Sequence, residues 1–370
     1  MQRVENYSAG TTSFGPHQYQ MQKVIKAQTG VVTPSYVDGP AHGVNVTNGG
    51  AFFGGCLMRN GKVLLSPSSN NSIFIFDPTT DTLIQGPVHG ETNPAFNGAI
   101  SVSETLVVLP PDFGSYIGLY NPITNAYTRG PAKLNSADRF AGGTVLPDGK
   151  VLLAPTAAPN ALIYDPITNA AAQGPAMTNR GGAQLMADGR VLLPDSTDVG
   201  GPLLVYDHET GSVTPTINSY VETRDLVVIA DGRIAAVATD LARVFLFDFR
   251  YSTADPIRIS TDTWPSNVTN KFRSGALAAN GDVVFAPFQR QSIGYYRPPS
   301  PGFPLGQIFD GPAMPSDGIL ERFTGCVPMP DGRFLMIPRK HPRVGIYTHL
   351  SGGQPLPPEV LMSPFHSNSF

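Results

Sequence analysis

The sequence predicts an all-β chain built from one four-stranded unit repeated seven times, and three observations carry that expectation. First, glycine and proline supply 39 and 36 of the 370 residues, about a fifth against roughly 12% in average usage. Both break helices, and no stretch sustains the three-to-four-residue apolar spacing of an amphipathic helix. Second, hydrophobic residues still make up 41% of the chain while the net charge is only −3, which excludes the disordered class. Third, an aromatic residue recurs at Phe76, Tyr120, Tyr164, Tyr206, Phe247, Tyr296 and Tyr347, in steps of 44, 44, 42, 41, 49 and 51 residues. A mean step of about 45 matches the four-stranded blade of a β-propeller. The expected fold is a seven-bladed β-propeller.

The third unit shows the order of its parts most clearly. Arg139–Leu146 reads as an inner strand, and Pro147-Asp148-Gly149 as a hairpin turn, because Asp-Gly accepts the positive φ that tight turns require. Lys150–Pro155 is a second strand, apolar enough to be buried on both faces, and Leu162–Asp165 is the third. Asp165 starts the next turn, Pro166-Ile167-Thr168-Asn169, by bonding to its own backbone; Asp77, Asp207 and Asp248 are read the same way. The outer strand ends at Gly174-Pro175. Second strands recur around Leu64, Val107, Leu192, Ala235, Val284 and Leu335. Turns precede them at Asn60-Gly61, Asp188-Gly189, Asp231-Gly232, Asn280-Gly281 and Asp331-Gly332, whereas unit two has Glu104 for glycine and should turn differently. Unit six stretches its last connection through Arg297-Pro298-Pro299-Ser300-Pro301-Gly302, a polyproline-like loop.

Closure is legible at the outer-strand endings. Gly-Pro ends units one, two, three and six at Gly86, Gly130, Gly174 and Gly311, with Thr214-Pro215 and Trp264-Pro265 in units four and five. Unit seven lacks such an ending, and a spare one, Gly39-Pro40, closes the segment Val31–Pro40. That segment is expected to be the outer strand of the last blade, completing a ring without a free sheet edge. The organisation follows: an N-terminal tail over 1–29, the propeller over 30–352 and a C-terminal tail over 353–370.

The near-neutral charge gives no long-range attraction for nucleic acid or anionic membranes. The polar start Met1-Gln2-Arg3-Val4-Glu5 lacks the apolar core of a secretory signal, and no apolar run is long enough to span a bilayer. Tyr164-Asp165-Pro166-x-Thr168-Asn169 and Tyr120-Asn121-Pro122-x-Thr124-Asn125, each in a unit with an apolar second strand, resemble Kelch-type propeller repeats. The resemblance spans about residues 30–350 and implies architecture rather than activity. It departs from the Kelch pattern in two ways: second strands end in Ser/Ala-Pro rather than a double glycine, and the chain has a single tryptophan.

Candidate ligand-binding residues are the arginines at the inner-strand starts: Arg139, Arg180, Arg224, Arg273 and Arg322. Their planar forks of donors match carboxylate or phosphate. Arg139 and Arg322 lie ten residues before their turn glycines, Arg180 nine, and Arg224 and Arg273 eight. They therefore do not all face one way, and pairing with Asp138, Asp225 or Glu321 to tie blades together is the competing role. Seven histidines show no ligand spacing, so no metal site is expected, and no nucleophile elbow, phosphate loop or dinucleotide fingerprint appears. Catalytic residues and cofactors are expected to be none. Low charge, only seven lysines among 25 basic residues, and polar or proline-rich tails lead us to expect a non-enzymatic structural or adhesive subunit. The assembly we expect is a bacterial-virus virion, made in the host cytoplasm, with partner subunits held through residues 1–29 and 353–370. A glycan-binding or polysaccharide-degrading protein working at the channel mouth is the alternative.

Overall fold

The repeated Asp-Gly and Asn-Gly pairs fold as type I turns that end in a left-handed glycine. In the computed structural model, Gly61, Gly149, Gly189, Gly232, Gly281 and Gly332 all sit at φ between 81° and 91°. Each donates its N–H to the carbonyl three residues back, as Gly149 does to Leu146 at 2.9 Å. Only the glycine has positive φ, so these are three-residue hairpin loops with a bulge rather than two-residue turns. The preceding Asp or Asn is needed too: its Oδ1 accepts the N–H two residues on, from Lys150 to Asp148 at 3.1 Å and from Arg333 to Asp331 at 3.0 Å. The turns between third and fourth strands use the same device, with Asp77, Asn121, Asp165 and Asp207 accepting from Thr79, Ile123, Ile167 and Glu209 at 2.8–3.0 Å.

The structure describes residues 33–46, 49–177, 180–195, 201–216, 223–229, 231–238, 243–249, 257–260, 272–300 and 302–349. Among them every regular element is a strand, and the strands form seven four-stranded antiparallel blades. The first strand, β1 (Ser35–Ala41), stands apart from its sequence neighbours. Blade one is β2 (Phe52–Leu57), β3 (Val63–Pro67), β4 (Ser72–Asp77) and β5 (Thr82–Val88). Blade two is β6 (Ile100–Ser103), β7 (Leu106–Leu109), β8 (Tyr116–Asn121) and β9 (Ala126–Ala132). Blade three is β10 (Phe140–Val145), β11 (Val151–Pro155), β12 (Asn160–Asp165) and β13 (Ala170–Ala176). Blade four is β14 (Gln184–Leu185), β15 (Val191–Leu193), β16 (Leu204–Asp207) and β17 (Ser212–Pro215). Blade five is β18 (Thr223–Val228), β19 (Ile234–Ala238), β20 (Val244–Asp248) and β21 (Ile257–Ser260). Blade six is β22 (Phe272–Leu277), β23 (Val283–Pro287), β24 (Ser292–Arg297) and β25 (Gln307–Ala313). Blade seven is β26 (Phe323–Pro328), β27 (Arg333–Pro338) and β28 (Arg343–Thr348), completed on its outer side by β1.

That strap is the predicted closure. Ser35 pairs with Thr348, Tyr36 with Tyr347 and Val37 with Ile346. Gly39 is required there because a Cβ would stand 2.8 Å from Val344; Gly86 sits against Ile75 at 2.7 Å for the same reason. Each Gly-Pro therefore marks a close approach of the outer strand, and the proline removes a ladder donor at the sheet edge. A second clasp spans blades seven and one on the face carrying the Asp-Gly turns, where Arg333 reaches Asp81 at 2.8 and 2.9 Å and the Pro78 carbonyl at 2.9 Å. Trp264-Pro265 and both predicted tails lie outside the described residues.

Period-two alternation puts the recurrent aromatics between blades. Phe76, Tyr120, Tyr164, Tyr206, Phe247, Tyr296 and Tyr347 pair in one register with Val63, Val107, Val151, Val191, Ile234, Val283 and Phe334. All seven are buried, each worth roughly 1.5–3 kcal/mol of apolar burial. Between blades five, six and seven a polar tie interrupts this packing. Asp225 of β18 accepts from Ser274 Oγ at 2.9 Å and Gly275 N at 3.0 Å on β22, and Ser274 Oγ accepts from Cys326 N of β26 at 3.2 Å.

Candidate functional site

In every blade one residue faces the central channel near its mouth. It follows the residue paired to the end of the second strand, for example Phe52 with Pro67 or Phe272 with Pro287. The ring reads Phe53, Asn97, Ala141, Gly181, Arg224, Arg273 and Thr324. Side chains alternate along a strand, so the preceding position (Phe52, Phe96, Phe140, Phe272, Phe323) turns into the core instead.

The five predicted arginines fall on three registers, as their offsets required. Arg224 and Arg273 occupy the ring. Arg180 sits one position earlier and is buried against Asp195 at 3.2 Å, its Nη1 donating to the Pro202 carbonyl at 2.9 Å. Arg139 and Arg322 sit one earlier still. Arg139 lies over the Phe113 ring at 3.5 Å and 4.0 Å from Asp112. Arg322 is buried, bound to Asp317 and to the Pro315 carbonyl at 2.8 Å. The fold therefore brings two of the five together at one level of the channel. The carboxylates holding the other three are Asp112, Asp195 and Asp317, not the sequence neighbours Asp138, Asp225 and Glu321.

A residue outside the predicted set joins the ring. Arg339, just after β27, places its guanidinium 4.7 Å from the Phe53 ring centre and is held by Glu321 at 3.0 Å, while Arg273 lies 4.2 Å from Phe288. The mouth thus carries guanidinium groups seated on aromatic faces. The channel at this level leaves about 50 Å³ of open space, enough for one or two waters or a single small anionic group.

The histidines have structural work. His42 and His89 follow their outer strands at equivalent positions, and each bonds a neighbouring carbonyl at 2.8 Å (His341 and Asn70) while meeting Phe52 or Phe96 edge-on. Burial holds both imidazoles below their usual range. Among the described residues no group of three or more His, Cys, Asp or Glu side chains could hold a metal ion. Both cysteines are buried, on different interblade clusters, and burial raises both thiols.

The other face, formed by the turns, carries a polar cluster the sequence reading passed over. In five blades the residue after the turn glycine is a cation: Lys62, Lys150, Arg190, Arg233 and Arg333. Lys62 pairs with Asp77 across the strands at 3.0 Å. Blade six reverses the pair, with Asp282 on β23's approach and Arg297 ending β24, bonded at 3.1 and 3.0 Å. Asn280 and His349 also donate to the Asp282 carboxylate, at 2.9 Å each, and His349 Nδ1 meets the Tyr347 hydroxyl at 2.7 Å. Burial raises the Asp282 carboxyl, but these donors outweigh it and hold the group below its usual range. Comparing repeats position by position reveals the reversal; no local motif does. Beside it opens a cleft of about 410 Å³.

No family model matches the chain, and no curated protein does. Solved structures match in fold. A streptogramin B lyase superposes with a TM-score of 0.67 at 13% identity, covering 85% of this chain and 97% of that one. The extracellular domain of a hybrid two component system from B. thetaiotaomicron gives 0.61 at 12%, covering 84% and 39%. Hydrazine synthase of Kuenenia stuttgartiensis gives 0.62 at 11%, covering 85% and 100%. At these identities the likeness is one of fold, and the partners differ widely in activity, as expected of a propeller scaffold. Among the described residues no helix is long and apolar enough to cross a membrane.

Proposed function

We propose that the protein is a non-enzymatic structural or adhesive propeller subunit, assembled through its termini into a larger particle. The particle we favour is a bacterial-virus virion, with this chain as a capsid or tail accessory protein. The observation that carries the reading is the pairing of Ser35 with Thr348. It sets the start of β1 beside the end of β28, which supports a reading in which the segments before and after them serve one contact. The ring itself is sealed without them. Deleting residues 1–27 is expected to leave the β circular dichroism and the melting curve unchanged while abolishing assembly in analytical ultracentrifugation. Assembly that survives the deletion overturns the proposal.

A second reading, recognition of a surface glycan, is favoured by the guanidinium groups at the channel mouth. With about 50 Å³ open at that level, only an end group such as a carboxylate enters the neck. A glycan array with the full chain tests this reading, and binding lost in Arg273→Gln supports it at the mouth.

A further inference from the structure

Three features of blade six fall at one place. Its cross-strand charge pair is reversed, as Asp282–Arg297. Its connection from β24 to β25 runs from Pro298 to Gly306, where blades one to four use a four-residue turn. This longer loop is built, with Ser300 and Phe303 exchanging backbone hydrogen bonds at 3.2 and 2.9 Å and Tyr296 Oη donating to the Leu305 carbonyl at 3.2 Å. The third feature is the 410 Å³ cleft, lined by Ile229, Asp231, Asn280, Arg297, Pro298 and Pro299, with Asp282 at its back. Long loops on a strand scaffold are where function concentrates, and the volume falls within the range of small-ligand pockets.

The chemistry of the walls narrows the ligand. Arg297 is half exposed, 47% of its side chain, while Asp282 fixes its guanidinium from behind and itself has no accessible edge at 2%. The Asp282 carboxylate accepts from Arg297, Asn280 and His349, so its lone pairs are spent inside the protein. Arg297 therefore offers a pre-oriented fork of donors with its charge already matched. Across the cleft Asp231, 45% exposed, offers a carboxylate edge held by Arg233 Nε at 2.8 Å. The two ion pairs cancel, and Pro298 and Pro299 add C–H surface. A ligand that fits is uncharged, presents neighbouring hydroxyls to a donor fork and an acceptor edge, and has an apolar face.

We propose that this cleft binds a neutral saccharide. The proposal rests on the glycan reading above but moves its site from the channel mouth to the turn face of blades five and six. The test is saturation-transfer NMR and calorimetric titration of the full chain with D-glucose, D-galactose, D-mannose and N-acetyl-D-glucosamine, and with D-glucuronate as the charged counterpart. At least one neutral sugar is expected to bind, tighter than glucuronate. Asp231→Asn and Arg297→Gln should each weaken it tenfold or more, while Lys150→Gln leaves it unchanged. Asn280 and His349 still hold Asp282 in Arg297→Gln, and an unshifted melting temperature for Asp231→Asn separates lost binding from lost folding. Neutral-sugar binding that persists in both variants but vanishes in Arg273→Gln overturns this site and keeps the glycan reading. Glucuronate binding alone, lost in Arg273→Gln, does the same. No saturation transfer to any of the five sugars overturns both.

Discussion

Replacing Asp225 by asparagine should make the protein less stable in acid and more stable in base. Asp225 is fully buried between blades five and six, and its carboxylate accepts from Leu226 N at 2.8 Å, Ser274 Oγ at 2.9 Å and Gly275 N at 3.0 Å. Burial outweighs these bonds and pushes the carboxyl up to about 7 from its ordinary 3.8. The folded chain then binds more protons than the unfolded chain between those two values, so this group's contribution to stability falls as pH rises through that window and is flat above it. At 1.36 kcal/mol per pH unit the fall is roughly 4 kcal/mol. Asparagine keeps the shape, does not ionise, and forfeits one of the three bonds, at about 1 kcal/mol. Urea denaturation of both proteins at pH 4.5, 6 and 8 measures the difference, in which all other titrating groups cancel. The variant should be about 1 kcal/mol weaker at the lowest pH and a few kcal/mol stronger at the highest. A difference that stays constant across that range would refute the account of Asp225 as a carboxylate whose desolvation exceeds its bonding.

Three further outcomes follow from the same structure. Burial depresses the His42 and His89 imidazoles, so their contribution is complete above about pH 6.5 and is lost as pH falls through the folded value. His89→Gln should therefore flatten the acid limb of a melting-temperature profile relative to the parent. Gly149→Ala, at φ 85° with nothing within 4 Å of the new Cβ, should cost about 1 kcal/mol of strain. Gly143→Ala would instead drive a Cβ into the Leu152 carbonyl and Ile100, costing about 3 kcal/mol or more, and paired urea midpoints rank the two. Cys56 and Cys326, both fully buried with thiols raised by burial, should resist a disulfide reagent in the folded protein and react stoichiometrically once it is denatured.

The architecture is legible in the chain's order of residues, because each blade is specified by local chemistry repeated in register. An Asp or Asn that binds the backbone two residues on, a glycine that takes positive φ, and an apolar run between them define a hairpin without help from distant residues. The displaced Gly39-Pro40 predicted the strap for the same reason: a pattern missing at one end was present at the other. Even the split among the five arginines was legible, since offsets of ten, nine and eight residues already placed Arg139, Arg180 and Arg224 on different registers. The tertiary structure alone decided which side chains meet. Arg139, Arg180 and Arg322 found Asp112, Asp195 and Asp317, because contacts between strands depend on how blades and loops pack rather than on order along the chain. Asp282 and His349 are 67 residues apart and belong to different blades, and Arg339 reaches the mouth from the end of a second strand that reads as core. Repeats fix what each blade is, but the seams between blades, where the polar clusters and the cleft lie, exist only once the ring has closed.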